Sequence, residues 1–194
     1  MRVIAGEFRS RTLQSLPGMD VRPTSDKLRE TLFNVLTASD PSALEGTVWI
    51  DLFAGTGAVG IEAASRGAST VYFVESSLAA VDLIKKNLGS LGIGSGVQII
   101  SQSVLRALRA ISDKHSAADY VFLDPPYKLE EAYEETLLAL SNSTLLKPTT
   151  IVIAEHQKRF DPGETFGELN RYRKLIQGDA VLSFYRRTPI NLSC

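Results

Sequence analysis

The chain has 194 residues, enough for one domain with a sizeable core, and 44% of them are hydrophobic against 22% charged. Its formal net charge of −1 gives no overall basic footprint of the kind nucleic-acid binders favour. The longest apolar runs are far too short to span a membrane, no secretory signal opens the chain, and the single cysteine, Cys194, excludes internal disulfides. Two isolated histidines, His115 and His156, give no metal-ligand spacing, so no metal is expected. The cytoplasm is the expected compartment.

Charge is uneven along the chain. Residues 1–29 hold six cations (Arg2, Arg9, Arg11, Arg22, Lys27, Arg29) against three anions (Glu7, Asp20, Asp26). The tail adds Arg171, Arg173, Lys174, Arg186 and Arg187. Either a local basic patch or a solvated face fits this distribution.

Residues 2–14 place β-prone stretches around Gly6, the pattern of a hairpin. Arg9 and Arg11 would alternate on its second strand and share a face suited to phosphates. Pro17-Gly18 follows as a turn. Thr24 or Ser25 can cap a helix whose apolar stripe is Leu28, Leu32, Val35 and Leu36, with Phe33 in the core.

From Val48 strands alternate with helices. Strands are expected at 48–52, 70–75, 97–101, 119–123 and 149–154, and helices near 58–66, 77–89, 103–112 and 129–141. Such alternation specifies a parallel sheet covered on both faces. Segments 166–176 and 180–187 read as two closing strands turned at Gly178-Asp179. The expected fold is therefore α/β and Rossmann-like, with seven mostly parallel strands. Residues 1–40 would form a small N-terminal extension, and 41–188 the main domain.

The first strand runs into Asp51-Leu-Phe-Ala-Gly55-Thr-Gly57-Ala-Val-Gly60. Gly55 and Gly57 permit a tight turn close to a ligand, and Gly60 permits close helix–strand packing. Glu75, ending the next strand, can hold the hydroxyls of an adenosine ribose. This much suits either a nicotinamide dinucleotide or S-adenosylmethionine. Asp51 separates them, because a carboxylate would repel a pyrophosphate but attract an ammonium and a sulfonium.

The fourth strand ends in Asp124-Pro125-Pro126-Tyr127, at the edge where such sheets bind ligands. An amino group on a nucleic-acid base is a poor nucleophile, since its lone pair is delocalised into the ring. The Asp124 carboxylate and the Pro125 carbonyl can accept both of its N–H bonds and direct the lone pair outward, while Tyr127 stacks on the base. The base must be unpaired or flipped to reach them.

These two motifs resemble the amino-methyltransferases of DNA and RNA bases. The flanking stretches Arg2–Leu13, Arg22–Asn34 and Asp51–Gly67, with Glu155-His156, are similar to bacterial 16S rRNA guanine-N2 methyltransferases of the RsmD type, over residues 2–187. The resemblance implies transfer of a methyl group from S-adenosylmethionine to a guanine N2 in 16S ribosomal RNA, conventionally numbered 966, within a small-subunit ribosomal assembly. It implies cofactor contacts at Asp51, Phe53, Gly55, Gly57, Glu75 and Ser76; a monomer is expected. Arg9, Arg11 and Arg22 would contact RNA. Related enzymes often hold the adenine with an acid after the third strand, where this chain has Gln102-Ser103, leaving that contact to Ser103. Three other readings stay open: an adenine-N6 methyltransferase, a nicotinamide-dependent oxidoreductase, and a non-catalytic RNA-binding factor.

Overall fold

A computed structural model describes residues 1–15, 25–113 and 117–188. Arg22, Pro17-Gly18, Thr24, His115 and Cys194 lie outside the described residues.

Helix α1 (Asp26–Leu36) is capped by Ser25, whose side chain accepts the Leu28 N–H. Strands β1 (Val48–Leu52), β2 (Thr70–Val74), β3 (Val97–Ile100) and β4 (Ala118–Leu123) alternate with helices α2 (Ala58–Ser65), α3 (Leu78–Leu91) and α4 (Val104–Ser112). Helix α5 (Glu131–Ser141) precedes strands β5 (Leu146–Gln157), β6 (Thr165–Phe166), β7 (Leu169–Gln177) and β8 (Ala180–Arg187). All eight join one sheet in the order β3-β2-β1-β4-β5-β8-β7-β6. The first five are parallel and the last three antiparallel. One strand more than expected arises because Gly167, at φ 56°, breaks the 166–176 stretch into β6 and β7.

Each face of the sheet carries its own core. On one, Leu32 and Phe33 of α1, Ile61 of α2 and Ile84 of α3 pack on Trp49, Phe73 and Phe122. On the other, Ala107 and Leu108 of α4 and Tyr133 and Leu137 of α5 pack on Leu52, Val121 and Val152. Val3 and Leu13 join the first core, which ties the N-terminal segment to the sheet.

Residues 2–14 do not form the hairpin ladder expected. A single antiparallel bridge joins Arg2 to Thr12, and turns and bends occupy residues 5–10. The arms exchange Val3 N–H to Arg11, Ser10 N–H to Val3 and Leu13 N–H to Met1 carbonyls, while four donors of the turn go to α2. Glu62 accepts the Ile4 and Ala5 N–H groups at 2.7 and 3.0 Å, while the Ser65 carbonyl and hydroxyl accept those of Glu7 and Phe8. Gly6, at φ 81°, lies so close to α2 that a Cβ would meet the Ser65 carbonyl oxygen at 1.8 Å. Arg9 lies in the turn and Arg11 outside any strand, so the two do not share a strand face.

Candidate active site at the carboxyl ends of β1, β2 and β4

The turn after β1 is held by side chains rather than by regular structure. Phe53 and Gly55 both have positive φ, 59° and 53°, and Gly57 begins α2 at φ 77°. A non-glycine residue in this conformation is strained, and such strain concentrates at binding sites. Asp51, buried, accepts the Gly60 N–H through Oδ2 at 2.9 Å and so caps α2 from the preceding strand. A Cβ on Gly60 would come within 2.4 Å of the Phe73 ring, which explains the third glycine.

Glu75 closes the turn from β2. Its Oε2 accepts the Gly55 N–H at 2.9 Å and its Oε1 the Ser77 N–H at 2.7 Å. It therefore shapes the glycine turn. Ser76 beside it is exposed. Ser103 is the N-cap of α4, exposed, with no capping bond from its side chain, which leaves its hydroxyl available to a ligand.

Burial pushes the Asp51 carboxyl up to about 8, against the opposing Gly60 hydrogen bond and with a further contribution from Glu75. A cation placed beside this carboxyl draws it into its ionised form. That donor set fits S-adenosylmethionine, which carries an ammonium and a sulfonium.

Asp124 follows β4, whose residues Phe122 and Leu123 pair with Asp51 and Leu52. The parallel registers thus bring the acceptor turn beside the cofactor turn. Pro125 is buried, Tyr127 half-buried, and Leu129 N–H donates to the Pro126 carbonyl to close the turn. Burial raises the Asp124 carboxyl well above the usual carboxylate range, with help from Glu155 and Asp51. Beneath this turn the Tyr133 hydroxyl donates to the Glu155 carbonyl at 2.7 Å.

Glu155 takes no site role in the sequence reading. Leu123 pairs with Ala154, so Asp124 and Glu155 are the next residues on adjacent parallel strands. An acid just after the apolar run of the strand beside the Asp-Pro-Pro strand was the available signal, but its value depends on knowing the strand order. His156 is buried, bonded through Nε2 to Ser183 and through Nδ1 to the Phe160 carbonyl, with its pKa lowered by burial. It is a structural histidine. Asn34 is exposed on α1.

Arg9 is exposed and lines a groove of about 400 Å³ with Arg2, Lys27, Asp26 and Glu30. The Arg11 guanidinium instead donates to the Ser90 carbonyl at 2.8 Å, at the end of α3. The two arginines face different surroundings. Among the described residues no cluster of His, Cys, Asp or Glu could hold a metal, and no helix is long and apolar enough to cross a membrane.

A Rossmann-like sheet with a carboxyl-bearing glycine turn and an Asp-Pro-Pro-Tyr turn on neighbouring strands defines a class I methyltransferase. The chain belongs to the family described as Conserved hypothetical protein 95, whose model matches residues 1–186. It is 36% identical over 159 residues to Ribosomal RNA small subunit methyltransferase D of Haemophilus influenzae, covering 81% of this chain and 79% of that protein. The hypothetical protein TTHA0928 of Thermus thermophilus superposes with a TM-score of 0.79 at 27% identity, covering 95% of this chain and 98% of that one. SMU.776, described as a putative methyltransferase and complexed with SAH, shares the fold at a TM-score of 0.63 and 14% identity, over 82% of this chain and 48% of that one.

Proposed function

We propose that this chain methylates the N2 amine of a guanine in 16S ribosomal RNA, at the position conventionally numbered 966, presented by a small-subunit ribosomal assembly in the cytoplasm. Its membership of the family and the donor set around Asp51 together make it an S-adenosylmethionine-dependent ribosomal RNA methyltransferase. When bound, the cofactor supplies an electrophilic methyl group on a sulfonium. Asp51 and the 55–57 turn receive its cationic amino-acid end, Glu75 with Ser76 its ribose, and Ser103 its adenine. Phe53 supports the turn.

The Asp124 carboxylate and Pro125 carbonyl accept the two N–H bonds of the incoming amine, and Tyr127 stacks on the base. Holding the amine in line is the larger part of catalysis, since orientation of this kind contributes roughly 7–11 kcal/mol in favourable cases. Once the N–C bond forms, the nitrogen carries a surplus proton. Asp124, whose proton affinity burial has raised, is placed to take it.

The observation that carries guanine over adenine is the resemblance of residues 2–34 to 16S rRNA guanine-N2 methyltransferases, since an Asp-Pro-Pro-Tyr turn can hold either planar amine. Residues 1–40 serve as the RNA-contacting extension, with Arg9, Arg11 and Arg22 as its proposed phosphate contacts.

Undermethylated small subunits incubated with the protein and labelled S-adenosylmethionine, followed by nucleoside analysis, test this reading. N2-methylguanosine is the expected product. N6-methyladenosine would move the protein to the adenine class. Asp124→Ala should abolish incorporation while binding S-adenosylhomocysteine nearly as wild type does.

A further inference from the structure

The glycine turn and the N-terminal segment are far apart in sequence, yet one buried side chain holds both. Asn87, in the penultimate turn of α3, is wholly buried. Its Oδ1 accepts the Gln14 N–H at 2.8 Å. Its Nδ2 donates to the Gln14 carbonyl at 3.2 Å and to the Thr56 carbonyl at 3.0 Å. Both amide hydrogens and the amide oxygen are thus engaged.

The Thr56–Gly57 peptide is pinned at both ends, since the Gly57 N–H donates to the Ala54 carbonyl at 2.7 Å. Gly55 and Gly57 flank it with positive φ, so few steric barriers oppose its reorientation if one pin is lost. Nearby contacts reinforce the same junction. The Ser90 hydroxyl donates to the Asn87 carbonyl, and the Ser90 carbonyl receives the Arg11 guanidinium. The Leu13 N–H donates to the Met1 carbonyl, and the Thr56 hydroxyl reaches the Met1 sulfur at 3.9 Å.

We infer that Asn87 is a positioning residue that couples the cofactor turn to residues 11–14, so that cofactor binding orders the N-terminal segment. This rests on the cofactor reading above. Linkage makes the coupling reciprocal: a ligand held by the N-terminal segment tightens the cofactor site by the same factor. The extension given above to RNA is then prepared for its substrate when the methyl donor is in place. Asn87→Asp keeps the size and the Gln14 acceptor but replaces both donors with oxygen against two carbonyls.

Hydrogen exchange by mass spectrometry, with and without saturating S-adenosylhomocysteine, reads this coupling directly. In the wild type the ligand should slow exchange both at residues 53–62 and at residues 11–15. In Asn87→Asp, binding should weaken by about tenfold or more, the cost of stranding a buried carbonyl. At saturating ligand, protection should persist at 53–62 and be lost at 11–15. Asn87→Ala, which adds no repulsion, should give the same split. Ligand-induced protection at 11–15 that is absent in the wild type, or undiminished in both variants, overturns the inference. Absence of any ligand binding to the wild type overturns the cofactor reading itself, a different result.

Discussion

Asp51 and Gly60 are joined by a hydrogen bond of 2.9 Å that ends a strand and begins a helix with the same carboxyl. The group is buried and raised to about 8, so the folded chain holds a proton that the unfolded chain releases near the ordinary value of 3.8. The stability this protonation confers is complete below the unfolded value. It is lost as pH rises through the folded one. Asp51→Asn keeps an oxygen for the Gly60 N–H and never ionises. It should melt above wild type at pH 8–9, with the difference shrinking toward pH 5. Its affinity for S-adenosylmethionine should fall by about 1.5–3 kcal/mol, the range for charged hydrogen bonds. Wild-type affinity should climb with pH up to about 8 and then level, while the variant stays flat. Scanning fluorimetry and calorimetric titration across pH measure both; a variant with undiminished affinity removes Asp51 from the cofactor site.

Glu75 holds two backbone amides, those of Gly55 and Ser77, in addition to any ribose contact. Glu75→Ala should therefore weaken S-adenosylhomocysteine binding by about 1–3 kcal/mol and also lower thermal stability. Glu75→Gln retains one oxygen acceptor and should fall between. Calorimetry on the two variants checks the order. Equal affinity in wild type and Glu75→Ala would leave Glu75 with a structural role alone.

The β1–β5 core was legible because its strands and helices are strongly patterned, and glycine or proline marks junctions such as 55–57, 92–96 and 125–126. The place of the glycine turn was legible for the same reason: Gly55 and Gly57 follow a strand and precede a helix. What escaped was everything decided by long-range competition. Residues 2–14 have strand character, but Glu62 and Ser65 take the amides of Ile4, Ala5, Glu7 and Phe8 and leave a single bridge. Asn87 lies in an ordinary amphipathic helix, and only the packed chain shows that its amide faces Gln14 and Thr56. Glu155 needed the β4–β5 register. Gly167 interrupts a run that otherwise reads as one strand.

Gly6 offers a sharp test of the N-terminal packing. A methyl group there would overlap the Ser65 carbonyl oxygen at 1.8 Å, whereas at Gly46 nothing lies within 4 Å. Both have positive φ, 81° and 71°. Gly46→Ala should cost only the conformational penalty, roughly 1–2 kcal/mol. Gly6→Ala should cost more, because residues 4–8 must leave α2. Chemical denaturation of the two variants measures the difference. Equal losses would mean that the contact with Ser65 is not held in solution.

Arg9 and Arg11 should part company on RNA. Arg9 is exposed and shares its groove with Arg2 and Lys27, although Asp26 and Glu30 line it too. Phosphates approaching this groove would meet three cations, and each lost contact should flatten the logarithmic salt dependence of binding by about 0.7 on single strands. Arg2→Ala with Arg9→Ala should therefore weaken binding across RNA sequences and reduce the slope by about 1.4. Arg11 spends its guanidinium on the Ser90 carbonyl. Arg11→Ala should loosen the junction with α3, lowering thermal stability, while changing the salt slope less. Filter binding of small-subunit RNA fragments over a range of potassium chloride gives both slopes, and thermal melts give the stabilities. A double Arg2/Arg9 variant with the wild-type slope returns that groove to a solvated face. A slope change confined to Arg11→Ala would instead place the phosphate path along the end of α3.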